Sequence, residues 1–104
     1  MNWKDYKLLH WEKKSISKTL EIDNLRVLLL DLDRTLMPPE EGRKNLIAID
    51  NKDEIIWIAD LPLLPFASYH DIKMSGNDLL AWAGSTLCEI DLKTGRIIKE
   101  KFVK

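Results

Sequence analysis

An all-β, antiparallel fold is what this sequence predicts, and three observations predict it. Short apolar stretches rich in Ile, Leu, Val and Trp recur along the chain, clusters of turn-forming residues divide them, and no window sustains a helical apolar stripe for three turns. The arrangement expected is an antiparallel meander of about eight strands, folded as a two-sheet sandwich or a partial-propeller-like stack. Residues 1–104 are expected to form a single β domain, because a chain of 104 residues can bury one modest core and leaves no room for a catalytic domain with a lid.

The candidate strands run in order. Lys7–Trp11 and Ser15–Glu21 mix apolar with charged side chains. Leu25–Asp31 carries the unbroken apolar run Val27–Leu30, and Asn45–Asp50 a second such run. Glu54–Ala59 is centred on Trp57, whose setting between isoleucines marks it for the core. Tyr69–Met74 and Leu79–Ala83 follow, and Thr86–Asp91 alternates Thr86, Cys88 and Ile90 with Leu87, Glu89 and Asp91, the period of a half-buried strand. Arg96–Phe102 closes the series, and Lys99, Glu100, Lys101 and Lys104 suit an exposed sheet edge that must resist pairing with another chain. Asn51-Lys52-Asp53, Ser75-Gly76-Asn77-Asp78 and Leu92-Lys93-Thr94-Gly95 each sit between two of these runs and read as hairpin turns.

Two larger features organise the chain. Leu46–Asp50 followed by Ile55-Ile56 parallels Leu87–Asp91 followed by Ile97-Ile98, a repeat of about 41 residues measured from Asp50 to Asp91 and close to the length of a propeller blade. Between the third and fourth candidate strands lies the longest irregular stretch, Leu32–Lys44, with Pro38-Pro39-Glu40-Glu41-Gly42. Loops of that length inside a compact domain are often functional, although a solvated connector is the plainer reading.

Composition excludes several classes. Sixteen basic against seventeen acidic residues leave no global field to hold nucleic acid or an anionic membrane. The longest apolar runs fall far short of the roughly 20 residues that span a bilayer. Cys88 is the one cysteine and cannot form an intrachain disulfide, and Met1–Lys14 alternates charged and aromatic residues where a signal sequence would be apolar, so the chain reads as cytoplasmic. His10 and His70 lie far apart, with no Cys or carboxylate at metal-ligand spacing, and no glycine-rich phosphate cradle or serine elbow is present. No metal, no cofactor and no catalytic residue are expected.

One motif argues the other way. Val27-Leu28-Leu29-Leu30-Asp31-Leu32-Asp33-Arg34-Thr35 resembles the first motif of haloacid dehalogenase-like phosphatases, in which an apolar strand delivers two carboxylates, one as nucleophile and one as acid/base. That resemblance implies those roles for Asp31 and Asp33. Against it, Arg34 stands where the family keeps glycine, Pro38-Pro39 follows, and the helices that must wrap a parallel sheet are missing.

The stretch from Lys14 to the C-terminus resembles small bacterial proteins encoded beside secreted toxins, including immunity proteins of contact-dependent growth inhibition and polymorphic toxin systems. The matching pieces are Leu25–Asp31, Asn45–Asp50 with Ile55-Ile56-Trp57, and Glu89–Ile98 with Phe102-Val103-Lys104. Asp53-Glu54 departs from the Asn/Asp-Gly turn of that group, so the hairpin there is expected to be wider. The resemblance implies a cytoplasmic, non-enzymatic inhibitor, monomeric or in a one-to-one complex with the C-terminal toxin domain of a larger secreted protein, whose active site it occludes. It implies no direct contact with nucleic acid or membrane. Toxins of this kind are often nucleases with basic grooves, which makes Asp31, Asp33, Glu40, Glu41 and Asp60 the candidates for charge complementarity, with Arg34 in the same loop. Tyr69 or Trp82 would supply an aromatic anchor. The alternative from the same residues is a β adaptor whose loop or edge docks a protein other than a toxin.

Overall fold

The computed structural model describes residues 1–11, 14–31 and 40–102. Eight antiparallel strands form two four-stranded sheets. The first holds β1 (Ile16–Ile22), β2 (Leu25–Leu30), β3 (Leu46–Ile49) and β4 (Ile55–Ile58), and the second β5 (Asp71–Ser75), β6 (Asp78–Ala83), β7 (Thr86–Ile90) and β8 (Ile97–Phe102). Each sheet is a meander in which every strand pairs with the next along the chain. The all-β, two-sheet reading of the sequence is therefore the fold, and the expected hairpin turns lie where turn residues marked them.

The strand expected over Lys7–Trp11 is instead part of a helix, α1 (Trp3–His10). Asn2 caps it by accepting a hydrogen bond from the Lys4 amide at 3.0 Å, and Asp5 sits in the first turn, where a carboxylate favours the exposed amides. Trp3, Tyr6 and Trp11 then share one side, and Tyr6 lies against Trp11 with ring centroids 4.6 Å apart. Eight residues cannot hold a helix alone in water; burial of that aromatic side against the first sheet holds it. The chain before it runs beside β4, with the Ile55 amide donating to Met1 and the Trp3 amide to Asp53, which covers an otherwise open edge.

The second helix, α2 (Glu40–Arg43), is a single turn within the connection that the sequence marks as irregular. Residues 32–39 of that connection, with Asp33, Arg34 and Pro38-Pro39, lie outside the described residues, as does Lys104.

The repeat is structural. Leu20, Val27, Ala48 and Trp57 are neighbours across the first sheet, and Lys73, Leu80, Glu89 and Lys99 occupy the matching places in the second. Both sheets break register at the same step, between Ala48 and Ile49 and between Glu89 and Ile90. The extra residue is an exposed isoleucine each time, Ile56 at 48% and Ile98 at 59%. The two sheets also face the same way. Val27 and Ala48 point into the core between the sheets while their counterparts Leu80 and Glu89 point away from it. Leu28 and Ile47 lie under α1 while their counterparts Ala81 and Cys88 fill the shared core. The layers run α1, first sheet, second sheet.

This order explains the two kinds of apolar pattern in the sequence. β2 and β3 are covered on both faces, by α1 and by the second sheet, so Val27–Leu30 and Leu46–Ile49 are apolar without alternation. β6 and β7 are covered on one face and alternate. Trp57 is a core residue at 5% exposure, and Cys88 is buried, which pushes its thiol up from the ordinary value and away from nucleophile chemistry.

Matching turns close the matching hairpins. The Asp50 carboxylate accepts from the Glu54 amide at 3.0 Å and the Lys52 amide at 2.8 Å, and Asp91 accepts from the Lys93 amide at 2.9 Å. Gly95 takes a left-handed conformation at φ +74°, and Asp53 does so without glycine at φ +63° with Arg26 bonded to its carboxylate. The Asp50 turn closes onto Glu54 and the Asp91 turn onto Arg96, so the first hairpin is not widened.

The amides of Glu54 and Lys52 hold the Asp50 carboxyl below its ordinary value; the Lys18 ammonium, then the Ile72 amide, do the same for Asp71. Folded values depressed below the unfolded ones contribute stability that is present above about pH 4 and is lost as pH falls through the folded values. The urea midpoint is expected to decline below that pH, and Asp50→Asn to flatten the decline; an unchanged slope in the variant would remove Asp50 from the cause.

Candidate functional site

The connections β2–β3 and β4–β5 meet at one end of the stack, and a buried asparagine joins them. Asn45, 1% exposed, donates from Nδ2 to the Leu30 carbonyl at 2.8 Å and to the Tyr69 carbonyl at 2.7 Å, and its Oδ1 accepts from the Tyr69 amide at 2.9 Å. A single side chain therefore ties the end of β2, the start of β3 and the approach to β5. Beside it the Tyr69 hydroxyl donates to the Asp60 carbonyl, the Asp60 amide donates to Gly95 at 3.0 Å, and Trp57 Nε1 donates to Leu92 at 2.8 Å. Burial pushes the Tyr69 phenol far above its ordinary value, so it stays a donor.

On this support stands Leu61-Pro62-Leu63-Leu64-Pro65-Phe66. Two prolines keep it out of any sheet interior, while hydrogen bonds from Leu64 to Pro62 at 2.8 Å and from Ala67 to Leu64 at 3.3 Å shape it into tight turns. Pro62 is buried, whereas Leu63 is 99% exposed, Phe66 63% and Leu64 42%. The Arg43 guanidinium lies 5.6 Å from the Phe66 ring centroid, close enough for a cation–π contact. A trough of about 300 Å³ runs between this segment and α2, lined by Glu40, Arg43 and residues 61–65 and 67.

A second cleft, of about 190 Å³, opens at the same end, lined by Ser17, Asp31, Ser68, Tyr69 and His70 among others. Serine, histidine and aspartate gather here, but their bonds lead elsewhere. Ser15 Oγ donates to Asp31 at 3.1 Å and His70 Nε2 donates to the Gly84 carbonyl at 3.2 Å. Among the described residues no serine hydroxyl bonds to His70, so a base-activated nucleophile is not assembled. The antiparallel sheets likewise differ from the parallel, helix-wrapped scaffold that paired carboxylates at Asp31 and Asp33 would need for phosphatase chemistry. Among the described residues no group of three or more His, Cys, Asp and Glu could hold a metal ion, and no helix is long and apolar enough to cross a membrane.

Of the residues singled out in the sequence, Asp31, Glu40 and Asp60 are exposed at this end, and Asp33 and Arg34 lie outside the described residues, as does the Glu41 side chain. Tyr69 is not a surface anchor. At 2% exposure its ring belongs to the shared core and its hydroxyl is spent on Asp60, so no partner reaches it. Trp82 is half-buried on the outward face of β6, apart from the loops. The exposed residues that reasoning from strands passed over are Leu63, Leu64 and Phe66. Their signal was legible, since Leu63 and Leu64 are bracketed by Pro62 and Pro65 and Phe66 follows directly, a segment that cannot enter a central strand and must be placed in a loop.

No curated protein and no solved structure matches this chain. One family model does, over residues 10–102, which takes in every strand, and the chain belongs to that family, a domain of unknown function, DUF7957.

Proposed function

We propose that the protein is a cytoplasmic immunity protein that binds a cognate bacterial toxin one to one and neutralises it by occluding its active site, without catalysing a reaction. The observation that carries this reading is the exposed cluster of Leu63, Leu64 and Phe66 on a segment tied down at both ends. Apolar side chains held in place before binding lose little conformational freedom on docking, and a few such anchors supply most of an interface's affinity. Glu40 and Asp60 border the cluster with carboxylates, the charge that suits a basic nuclease groove. The toxin itself comes from the resemblance to immunity proteins rather than from the geometry.

The test is growth of cells making the neighbouring toxin gene product with and without this protein, followed by co-purification of the pair. Wild type is expected to rescue growth and form a stable complex. Leu63→Asp with Phe66→Asp changes exposed positions, so the fold is expected to persist while affinity falls at least about a hundredfold, from roughly 2 kcal/mol per anchor. Rescue undiminished in the double variant would remove the segment from the interface. Wild type that neither rescues nor co-purifies would sink the immunity reading in favour of an adaptor with a different partner.

A further inference from the structure

We infer that the outward face of the second sheet is a separate docking surface, and that its occupant is an amphipathic helix of a partner protein with acidic residues flanking its apolar stripe. Each sheet has one face turned toward the next layer of the stack. In the first sheet that face, with Val27, Leu29, Leu46 and Ala48, is closed by the second sheet. The matching face of the second sheet has Leu80, Trp82, Leu87 and Glu89 in those places, and nothing in the described chain covers it. Leu80, Trp82 and Leu87 are half-buried and belong to neither core. They form an apolar centre on the two middle strands, with Glu89 beside it on β7, Asp78 at the start of β6 and the other charged residues on the two edge strands. An apolar centre with a charged rim is the anatomy of a protein interface.

The rim selects the occupant by charge. Lys73, Lys99 and Lys101 are exposed, and none has a carboxylate within 4.0 Å among the described residues. Of the three acids on this face, Asp71 is already paired with Lys18 at 3.3 Å, which leaves Glu89 and Asp78, the latter at the β5–β6 turn, against three lysines. A second copy would set lysines against lysines, whereas a partner with carboxylates at its rim meets opposite charge. The opposite end of the stack shows the shape that fits. There the eight residues of α1, roughly 12 Å at 1.5 Å per residue, pack over β2, β3 and β4, three strands of a sheet roughly 14 Å wide. A helix of two to three turns closes one end of this stack, and the open end has the same width.

The experiment titrates ¹⁵N-labelled protein with two synthetic 16-residue helical peptides that share a leucine stripe, one flanked by Glu and the other by Lys. The Glu-flanked peptide is expected to shift the Trp82 indole and the β5–β8 amides saturably at submillimolar concentration. Lys99→Glu with Lys101→Glu, exposed positions that leave the fold intact, is expected to weaken it at least tenfold, and Trp82→Ser to abolish saturation. The proposal is overturned by equal affinity for the Lys-flanked peptide, by shifts confined to residues 61–67, or by no saturable shift. It is also overturned if sedimentation shows a dimer that Trp82→Ser dissolves, since a second copy would then hold the face.

Discussion

Replacing Asn45 by alanine is expected to lower the free energy of unfolding by about 3 to 4 kcal/mol, a large part of the stability of a domain this size. The side chain makes three hydrogen bonds at 1% exposure, so its removal strands the Leu30 carbonyl, the Tyr69 carbonyl and the Tyr69 amide where water does not reach. Each stranded group costs roughly 1–3 kcal/mol, partly relieved as the loops loosen. Urea unfolding checks this, with a midpoint shift of about 2 M for a slope near 1.5 kcal/mol/M. Asn45→Asp separates the roles of the two ends of the amide. It keeps an acceptor for the Tyr69 amide but turns a carboxylate oxygen toward two carbonyls. The folded state then raises the pKa of the new carboxyl above its unfolded value, so stability is retained at acid pH and lost as pH rises through the raised value. A variant equally stable at pH 4 and pH 7 would contradict that geometry. Loss of the clamp is also expected to loosen residues 61–66, so partner binding should weaken before global unfolding.

Gly95→Ala is expected to cost about 3 kcal/mol, whereas Gly84→Ala costs about 1 kcal/mol, although both glycines have left-handed backbones. At Gly84 (φ +59°) an added methyl meets nothing within 4 Å, so only the backbone preference is lost. At Gly95 (φ +74°) the methyl would lie 2.6 Å from Trp57 Cε3 and 2.7 Å from Cδ2. Trp57 has little freedom to yield, because it is 5% exposed and its Nε1 is bonded to the Leu92 carbonyl in the same turn. The turn must lift from the first sheet, and the Asp60 amide then loses the Gly95 carbonyl. Thermal unfolding should show a drop of about 15 °C for Gly95→Ala against about 5 °C for Gly84→Ala. Equal drops would mean that backbone conformation alone, and not the packing of the turn on Trp57, sets the requirement for glycine.

Eight strands, their hairpin turns and the repeat between Asp50 and Asp91 were legible because each rests on neighbours a few residues apart. Alternation at Thr86–Ile90 reports one buried face, Asp91 and Gly95 report a turn, and Lys99 to Lys101 report an edge. The error at the N-terminus has a similar origin. Trp3, Tyr6 and Trp11 are too few to announce a helix, and the face that makes them one belongs to β2 and β3. The cap at Asn2 was the available local signal.

The candidate site divides along the same line. That Asp31, Glu40 and Asp60 are polar residues at strand ends or in loops follows from the order of residues alone, as does the placing of Leu63, Leu64 and Phe66 outside any strand. That these loops converge on one end, that Tyr69 faces inward to Asp60 while Trp82 faces outward, and that Asn45 is the clamp are decided by how two sheets stack. Turn chemistry and side-chain period act within a strand and its hairpin. Which of a sheet's two apolar faces is covered, and by which layer, is a contest among segments tens of residues apart, settled by the packing that buries most and strands fewest polar groups.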